Sequence, residues 1–203
     1  ASAAQSIAQS AGDPAREISA PVDKLHATLL AVMKQANTQD IPARFRTLQP
    51  VLASSFDMRL MTALSTGSYW RKAPDDAKLS LVAAFQRFSV ATYAARFDGW
   101  SGQSFETLGI QEGPRGTRLV RTRINRPQKD PVPLTYVVRK IDARWRVVDI
   151  LLDTGISEIA VRRSEYGAIL KSDGIPALTV LLNARADKLL APETRPSGAP
   201  PAP

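Results

Sequence analysis

The segment Ser104–Leu152 decides the fold; it reads SFETLGIQEGPRGTRLVRTRINRPQKDPVPLTYVVRKIDARWRVVDILL. Apolar and polar side chains alternate along it with a period of two, which is typical of strands in a half-buried sheet. Turn-like stretches at residues 112–116, 126–131 and 142–143 divide the segment into four strands. Consecutive strands joined by such short turns predict an antiparallel meander.

The second predicted strand has one dry and one charged face. Val120, Thr122 and Ile124 share one face, and Arg121 and Arg123 share the other. The sheet therefore has a side that can face a core and a side that can face water or a charged partner.

The fourth predicted strand is apolar on both faces. Val148, Ile150 and Leu152 share one face, and Trp145, Val147 and Leu151 make the opposite face apolar too, interrupted by Asp149. We expect the face of Val148 and Ile150 to point toward the interior, and we expect Asp149 to have a charged partner because a buried carboxylate normally requires one.

Helical spacing precedes and follows the sheet. Apolar residues recur three and four positions apart in four stretches before it: Pro21–Ala36, Ile41–Phe56 with an interruption at Pro50, Met58–Leu64 and Pro74–Phe97. Two more stretches follow, over residues 159–170 and 175–189. The helix from Pro74 has a wide aromatic stripe that suits packing against a sheet. Helices, a four-stranded antiparallel sheet and further helices predict an α+β domain.

The two ends of the chain differ from its middle. Residues 1–18 are rich in Ala, Ser and Gln, and residues 191–203 are rich in Pro, and neither stretch has apolar periodicity. We expect both ends to be disordered and residues 19–190 to form a single domain.

Composition excludes several classes of protein. The chain of 203 residues is 44% hydrophobic and 23% charged, as globular proteins are, and no apolar stretch is long enough to span a membrane. It has no cysteine and one histidine, His26, so the usual zinc sites are excluded. Phosphate-binding glycine motifs are absent as well. We predict no metal, no cofactor and no enzymatic activity, and we place His26 on the surface.

The net charge of +8 is concentrated in the predicted sheet. Residues 115–146 contain ten Lys and Arg residues against two Asp residues. A solvated strand face, a nucleic-acid site, and a surface for an acidic partner or anionic bilayer all fit this pattern. Only Tyr136 and Trp145 are aromatic among these charges. Because single-stranded nucleic acids are bound partly by stacking on aromatic side chains, we favour the partner or the bilayer.

Short motifs in the second half resemble one known family, the MlaC or toluene-tolerance family of periplasmic lipid-binding proteins. They are Tyr136-Val137-Val138-Arg139, Trp145-Arg146-Val147-Val148-Asp149-Ile150, Gly155-Ile156-Ser157 and Arg163-Ser164-Glu165-Tyr166. Residues 93–106 are most similar to HpnM, the hopanoid-associated branch. The chain departs from the family pattern at Arg162, where a Tyr is usual, and at Tyr166, where a Phe is usual.

The resemblance implies a highly curved sheet packed against helices, in a cystatin-like or nuclear-transport-factor-like shape, with lipid tails held between them. It implies a carrier that moves a hopanoid or phospholipid between the inner and outer membranes of a Gram-negative bacterium. Its partners would be an inner-membrane transporter and an outer-membrane assembly, with no nucleic acid involved. The opening Ala-Ser-Ala-Ala-Gln-Ser is typical of a periplasmic chain after removal of a signal peptide.

The resemblance also implies which residues contact the lipid. The expected contacts are Phe56, Leu60, Phe85, Phe88, Tyr93, Val120, Ile124, Tyr136, Val138, Val148, Ile150, Tyr166, Ile169, Leu178 and Leu182. Arg139 and Arg163 are the candidates for contact with a headgroup or for a salt bridge to Asp149. Two alternatives stay open, a small enzyme using Asp149 as acid or base and a basic module that binds a partner or nucleic acid.

Overall fold

The computed structural model describes residues 13–153 and 155–191. In this part of the chain seven helices pack on one four-stranded sheet. The helices are α1 (Pro14–Lys34), α2 (Ile41–Ser55), α3 (Met58–Thr66), α4 (Ser68–Lys72), α5 (Asp75–Arg96), α6 (Glu158–Ser172) and α7 (Gly174–Leu190). The strands are β1 (Ser104–Glu112), β2 (Arg118–Arg126), β3 (Lys129–Ile141) and β4 (Arg144–Leu151). The strand order is β1-β2-β3-β4 and every pair is antiparallel, which confirms the predicted α+β meander.

The inner face of the sheet is apolar, as the alternation predicts. Val120 of β2 pairs with Tyr136 of β3, which pairs with Ile150 of β4, and all three are buried. The neighbouring Arg121 is exposed. The sheet therefore turns its dry face toward the helices.

A β-bulge in β4 overturns one detail of the predicted sheet. Val137 pairs with Asp149 but Val138 pairs with Val147, so Val148 is an extra residue without a cross-strand partner. Val147 therefore shares the inner face with Ile150, and Val148 is buried as well, at 5% exposed. The predicted regular alternation of β4 was wrong at this point because an inserted residue shifts the period of two, but Val148 is buried as expected.

Helix α1 begins seven residues before its predicted start at Pro21. The side chain of Asp13 caps it by accepting a hydrogen bond from the Ala15 amide, and Pro14 occupies the first helical position. Residues 14–18 are thus helical rather than disordered as predicted. The rest of the two ends predicted to be disordered, residues 1–12 and 192–203, lies outside the described residues.

The first helix, rather than α5, covers most of the sheet. α1 packs on β1, β2 and β4, whereas α5 packs mainly on α7 and α2. The prediction that the aromatic stripe of α5 faces the sheet was therefore wrong. The stripe of α1, with Val22, Leu25 and Leu29 fully buried, already occupies that position.

Candidate binding site

A small cavity lies where α2, α3, α5 and α6 meet. It is lined by Leu52, Phe56, Met58, Met61, Ser89, Tyr93, Glu158 and Arg162. Its volume is about 10 Å³, which is close to the space that one water molecule needs. Sites for drug-sized ligands are larger, with roughly 300 Å³ or more. A ligand of lipid size therefore requires the surrounding helices to separate.

A buried ion pair forms the polar end of this cavity. Arg162 Nη2 and Nε donate to Glu158 Oε1 at 2.7 and 3.1 Å, one helical turn away on α6. Arg162 is 8% exposed. Burial by itself lowers the pKa of Arg162, but the Glu158 carboxylate and the Tyr166 hydroxyl outweigh it, so the pKa is raised and the guanidinium stays charged.

Aromatic side chains complete the surroundings of Arg162. Its guanidinium carbon lies 4.9 Å from the ring centre of Phe85 and 5.7 Å from that of Phe88. Nη1 donates to Tyr166 Oη at 3.3 Å. These contacts stabilise a cation that has little access to water.

A row of aromatic rings connects the cavity with the inner face of the sheet. Tyr93 lies edge-on to Phe56 at 6.2 Å and stacks on Phe97 at 5.7 Å. Phe97 lies 6.3 Å from Phe105 of β1, which stacks on His26 at 4.4 Å. Burial raises the pKa of Tyr93, so its hydroxyl is neutral. The row thus forms a continuous line of ring contacts from the cavity to α1 and β1.

His26 is part of this interior, and the prediction that it lies on the surface was wrong. It is 6% exposed, and its Nε2 is hydrogen-bonded to Tyr136 Oη at 3.1 Å. Burial lowers the pKa of His26 to about 4, although nearby Asp23 opposes the shift. His26 lies three and four residues from Leu29 and Val22, so it belongs to the buried stripe of α1.

The residues predicted to contact lipid separate into distinct groups. Phe56 and Tyr93 line the cavity, and Phe85, Phe88 and Tyr166 surround Arg162 beside it. The buried core contains Val120, Tyr136, Val138, Ile150, Leu178 and Leu182, and Ile169 packs against this core. Ile124 is half-buried, and Leu60 lines a groove on the outer side of α3.

Asp149 has a different role from the predicted salt bridge. Its Oδ1 accepts hydrogen bonds from the Ile150 and Ile159 amides at 2.8 and 3.1 Å, and its Oδ2 accepts one from Ser157 Oγ at 2.5 Å. In the described part of the chain it has no ion pair with Arg139 or Arg163. The carboxylate therefore fixes the connection from β4 to α6.

Both arginines predicted to contact a headgroup are exposed. Arg139 lies near the end of β3, in the same outer groove as Leu60. The guanidinium of Arg163 lies against Gly67, where a Cβ atom would come within 2.5 Å of Nη2. Neither arginine lines the inner cavity.

Arg162 and Glu158 were not predicted as site residues from the sequence. Two signals were present: Arg162 departs from the family pattern, and an acid precedes it by four residues, the spacing of helical ion pairs. Neither signal by itself distinguishes a buried pair from a surface pair.

The described residues contain no group of three His, Asp or Glu side chains that could hold a metal ion. No helix over residues 13–153 and 155–191 combines the length and hydropathy needed to cross a membrane.

The fold is thus a set of helices packed on one face of an antiparallel sheet, with a small cavity whose apolar lining meets a buried ion pair. The chain belongs to the MlaC protein family, whose model matches residues 23–184, and this confirms the predicted family. It shares its fold with the phospholipid-binding protein of Ralstonia solanacearum, solved in complex with a phospholipid. The TM-score is 0.74 at 20% sequence identity, and the match covers 86% of this chain and 99% of the other.

Proposed function

We propose that this chain is a periplasmic lipid carrier that holds the apolar part of a lipid between its sheet and its helices. The observation that carries the proposal is the inner cavity, where a mainly apolar wall from α2 and α3 meets the Arg162–Glu158 pair. Membership of the MlaC family supports the same function. Each CH₂ group transferred from water into such an interior contributes about 0.8 kcal/mol, which would offset the cost of separating the helices around a lipid tail.

Loading in this proposal begins with movement of α3. This helix is short, ends at Gly67 with a positive φ of 59°, and packs mainly on α6 and α5. Its inner side contributes Met58 and Met61 to the cavity wall. Methionine side chains are unbranched and adapt to differently shaped ligands. Separation of α3 from α6 would enlarge the cavity without disturbing the hydrogen bonds of the sheet.

Two lipid classes fit the proposal. The bound phospholipid of the Ralstonia solanacearum protein supports a phospholipid, and the similarity of residues 93–106 to the hopanoid-associated branch supports a hopanoid. We propose that the carrier takes its lipid from one membrane assembly and delivers it to another. An inner-membrane transporter and an outer-membrane assembly would be its partners.

A pair of substitutions on α5 tests whether the cavity is the lipid site. Ser89 is buried and lines the cavity, whereas Ser80 on the same helix is exposed. Ser89→Leu fills the space that a tail would enter, at a stability cost of about 1–3 kcal/mol for overpacking. Ser80→Leu adds the same side chain outside the cavity.

The assay is uptake of a fluorescent phospholipid from vesicles, with folding of each variant checked by circular dichroism. We expect Ser89→Leu to reduce uptake per folded molecule and Ser80→Leu to leave it unchanged. Equal uptake by both folded variants would place the lipid elsewhere and would contradict the proposal.

A further inference from the structure

The corner formed by α3 and α4 exposes aromatic and aliphatic side chains. Leu64 is 44% exposed and Tyr69 is 37% exposed, and half-buried Trp70 lies next to Tyr69. None of these residues serves the inner cavity described above. Exposed side chains of this size that gather at one corner are typical of an interaction surface.

A groove beside this corner combines apolar and basic groups. Its volume is about 460 Å³, and it is lined by Asp57, Arg59, Leu60, Ala63, Trp70, Arg139, Lys140 and Ile141. The guanidinium carbon of Arg59 lies 5.3 Å from the ring centre of Trp70. The groove thus brings α3 and α4 together with the end of the β3–β4 hairpin.

The charge of the groove is positive and largely unpaired. Among the described residues, Arg59, Arg139 and Lys140 form no ion pair. Asp57, the one carboxylate of the lining, accepts a hydrogen bond from the Leu60 amide as the N-cap of α3. The groove therefore attracts an anionic partner.

A second arginine reinforces this charge from the neighbouring strand. Arg139 pairs directly with Arg146 across β3 and β4, and like charges at such a position destabilise the sheet. Arg146 Nε is buried and has no hydrogen-bond partner in the described structure. Binding of an anion beside Arg139 would reduce this repulsion.

From these observations we propose that the α3–α4 corner docks on an anionic lipid bilayer. Trp and Tyr side chains favour the level of the headgroups, aliphatic side chains enter the acyl boundary, and Lys and Arg reach the phosphates. Acidic groups of a protein would pair with the cations but would give Leu64, Tyr69 and Trp70 no apolar surroundings. Because α3 separates this groove from the inner cavity, docking would place at the membrane the helix whose movement is proposed to open the cavity.

This proposal goes beyond the carrier function, because docking requires only the outer surface of α3 and α4 and the adjoining end of the β3–β4 hairpin. The test measures binding of the full chain to vesicles of phosphatidylcholine alone and of phosphatidylcholine mixed with phosphatidylglycerol. Since uptake of lipid into the cavity is not measured, failure of docking and failure of the carrier proposal remain distinguishable. We expect binding to the anionic vesicles only, and its loss at high salt.

The two ends of β3 offer a matched pair of variants: Arg139 and Lys140 lie near its far end, and Lys129 at its start pairs with Arg126 at the end of β2. Arg139→Gln with Lys140→Gln removes two charges from the groove. Arg126→Gln with Lys129→Gln removes two exposed charges about 30 Å away along the strand. We expect the first pair to weaken vesicle binding about 30-fold and the second to change it less than about twofold. Equal effects of the two pairs would overturn the proposal.

Fluorescence of Trp70 tests contact with the bilayer itself. The chain has three tryptophans, so Trp100→Phe with Trp145→Phe leaves Trp70 as the only reporter. We expect brominated lipids in anionic vesicles to quench Trp70. Unquenched Trp70 in vesicle-bound protein would overturn the proposal, as would binding to soluble polyglutamate with the same dependence on Arg139 and Lys140.

Discussion

Removing the carboxylate of Glu158 would leave the buried Arg162 guanidinium without its ionic partner. The side chain of Arg162 is 10% exposed and that of Glu158 is 25% exposed. Breaking a fully buried pair costs about 3–5 kcal/mol, and partial exposure of Glu158 reduces the expected cost of Glu158→Ala to about 2–3 kcal/mol. For a chain of this size the melting temperature should fall by about 4–12 °C.

A more specific prediction concerns the stability of the double variant Glu158→Ala with Arg162→Met. Arg162→Met in the Glu158→Ala background removes the uncompensated charge and leaves an apolar side chain against Phe85 and Phe88. We expect the double variant to be more stable than Glu158→Ala alone by about 1 kcal/mol or more. The assay is urea unfolding followed by circular dichroism, which reports the free energy of unfolding for each variant.

The adjacent Arg163 provides the control, because it is exposed and has no ion pair in the described structure. Arg163→Met should change stability by no more than about 0.5 kcal/mol. If Glu158→Ala also lowered the free energy of unfolding by only about 0.5 kcal/mol or less, the Arg162–Glu158 pair would behave like a surface pair. This result would refute the claim that Arg162 is a desolvated cation at the cavity.

Two further predictions concern His26 and Asp149. The folded pKa of His26, about 4, lies below its unfolded value of 6.5, so its contribution to stability is fully present above about pH 6.5 and is lost as the pH falls toward 4. Between pH 6.5 and pH 4, urea unfolding should show that the wild-type chain loses up to about 3 kcal/mol more of its free energy of unfolding than the His26→Gln variant does. Asp149→Asn should lower the free energy of unfolding by about 1–2 kcal/mol, because its amide nitrogen cannot accept the Ser157 hydrogen bond.

Each of these predictions has a contradicting outcome. Parallel stability curves for the wild-type chain and His26→Gln between pH 4 and 6.5 would show that His26 is not a buried neutral group. If Asp149→Asn kept full stability but lost lipid uptake, Asp149 would serve the ligand instead of the β4–α6 connection.

The sheet was predictable from the sequence because period-two alternation and turn residues report local geometry. The order of helices and strands follows from the same patterns. The bulge at Val148 was not predictable, because it depends on how β3 and β4 align, and the residues of β4 are apolar on both faces. A single extra residue placed Val147 on the inner face and left Val148 buried without a cross-strand partner.

The candidate site was less predictable than the fold. Phe56 and Tyr93 were expected to contact lipid because of the family resemblance, and both line the cavity. Arg162 and His26 were missed because the burial of a charged or polar side chain depends on distant partners, here Phe85 and Tyr136. The partners of Asp149 are mainly backbone amides, which no side-chain pattern reveals.

The most direct test of the carrier function is native mass spectrometry of the chain purified from its own host, followed by extraction and identification of any bound lipid. We predict one lipid per chain, and its chemical class distinguishes a phospholipid from a hopanoid. A chain that contains no lipid, and that neither binds added lipid nor gains thermal stability from it, would contradict the central claim.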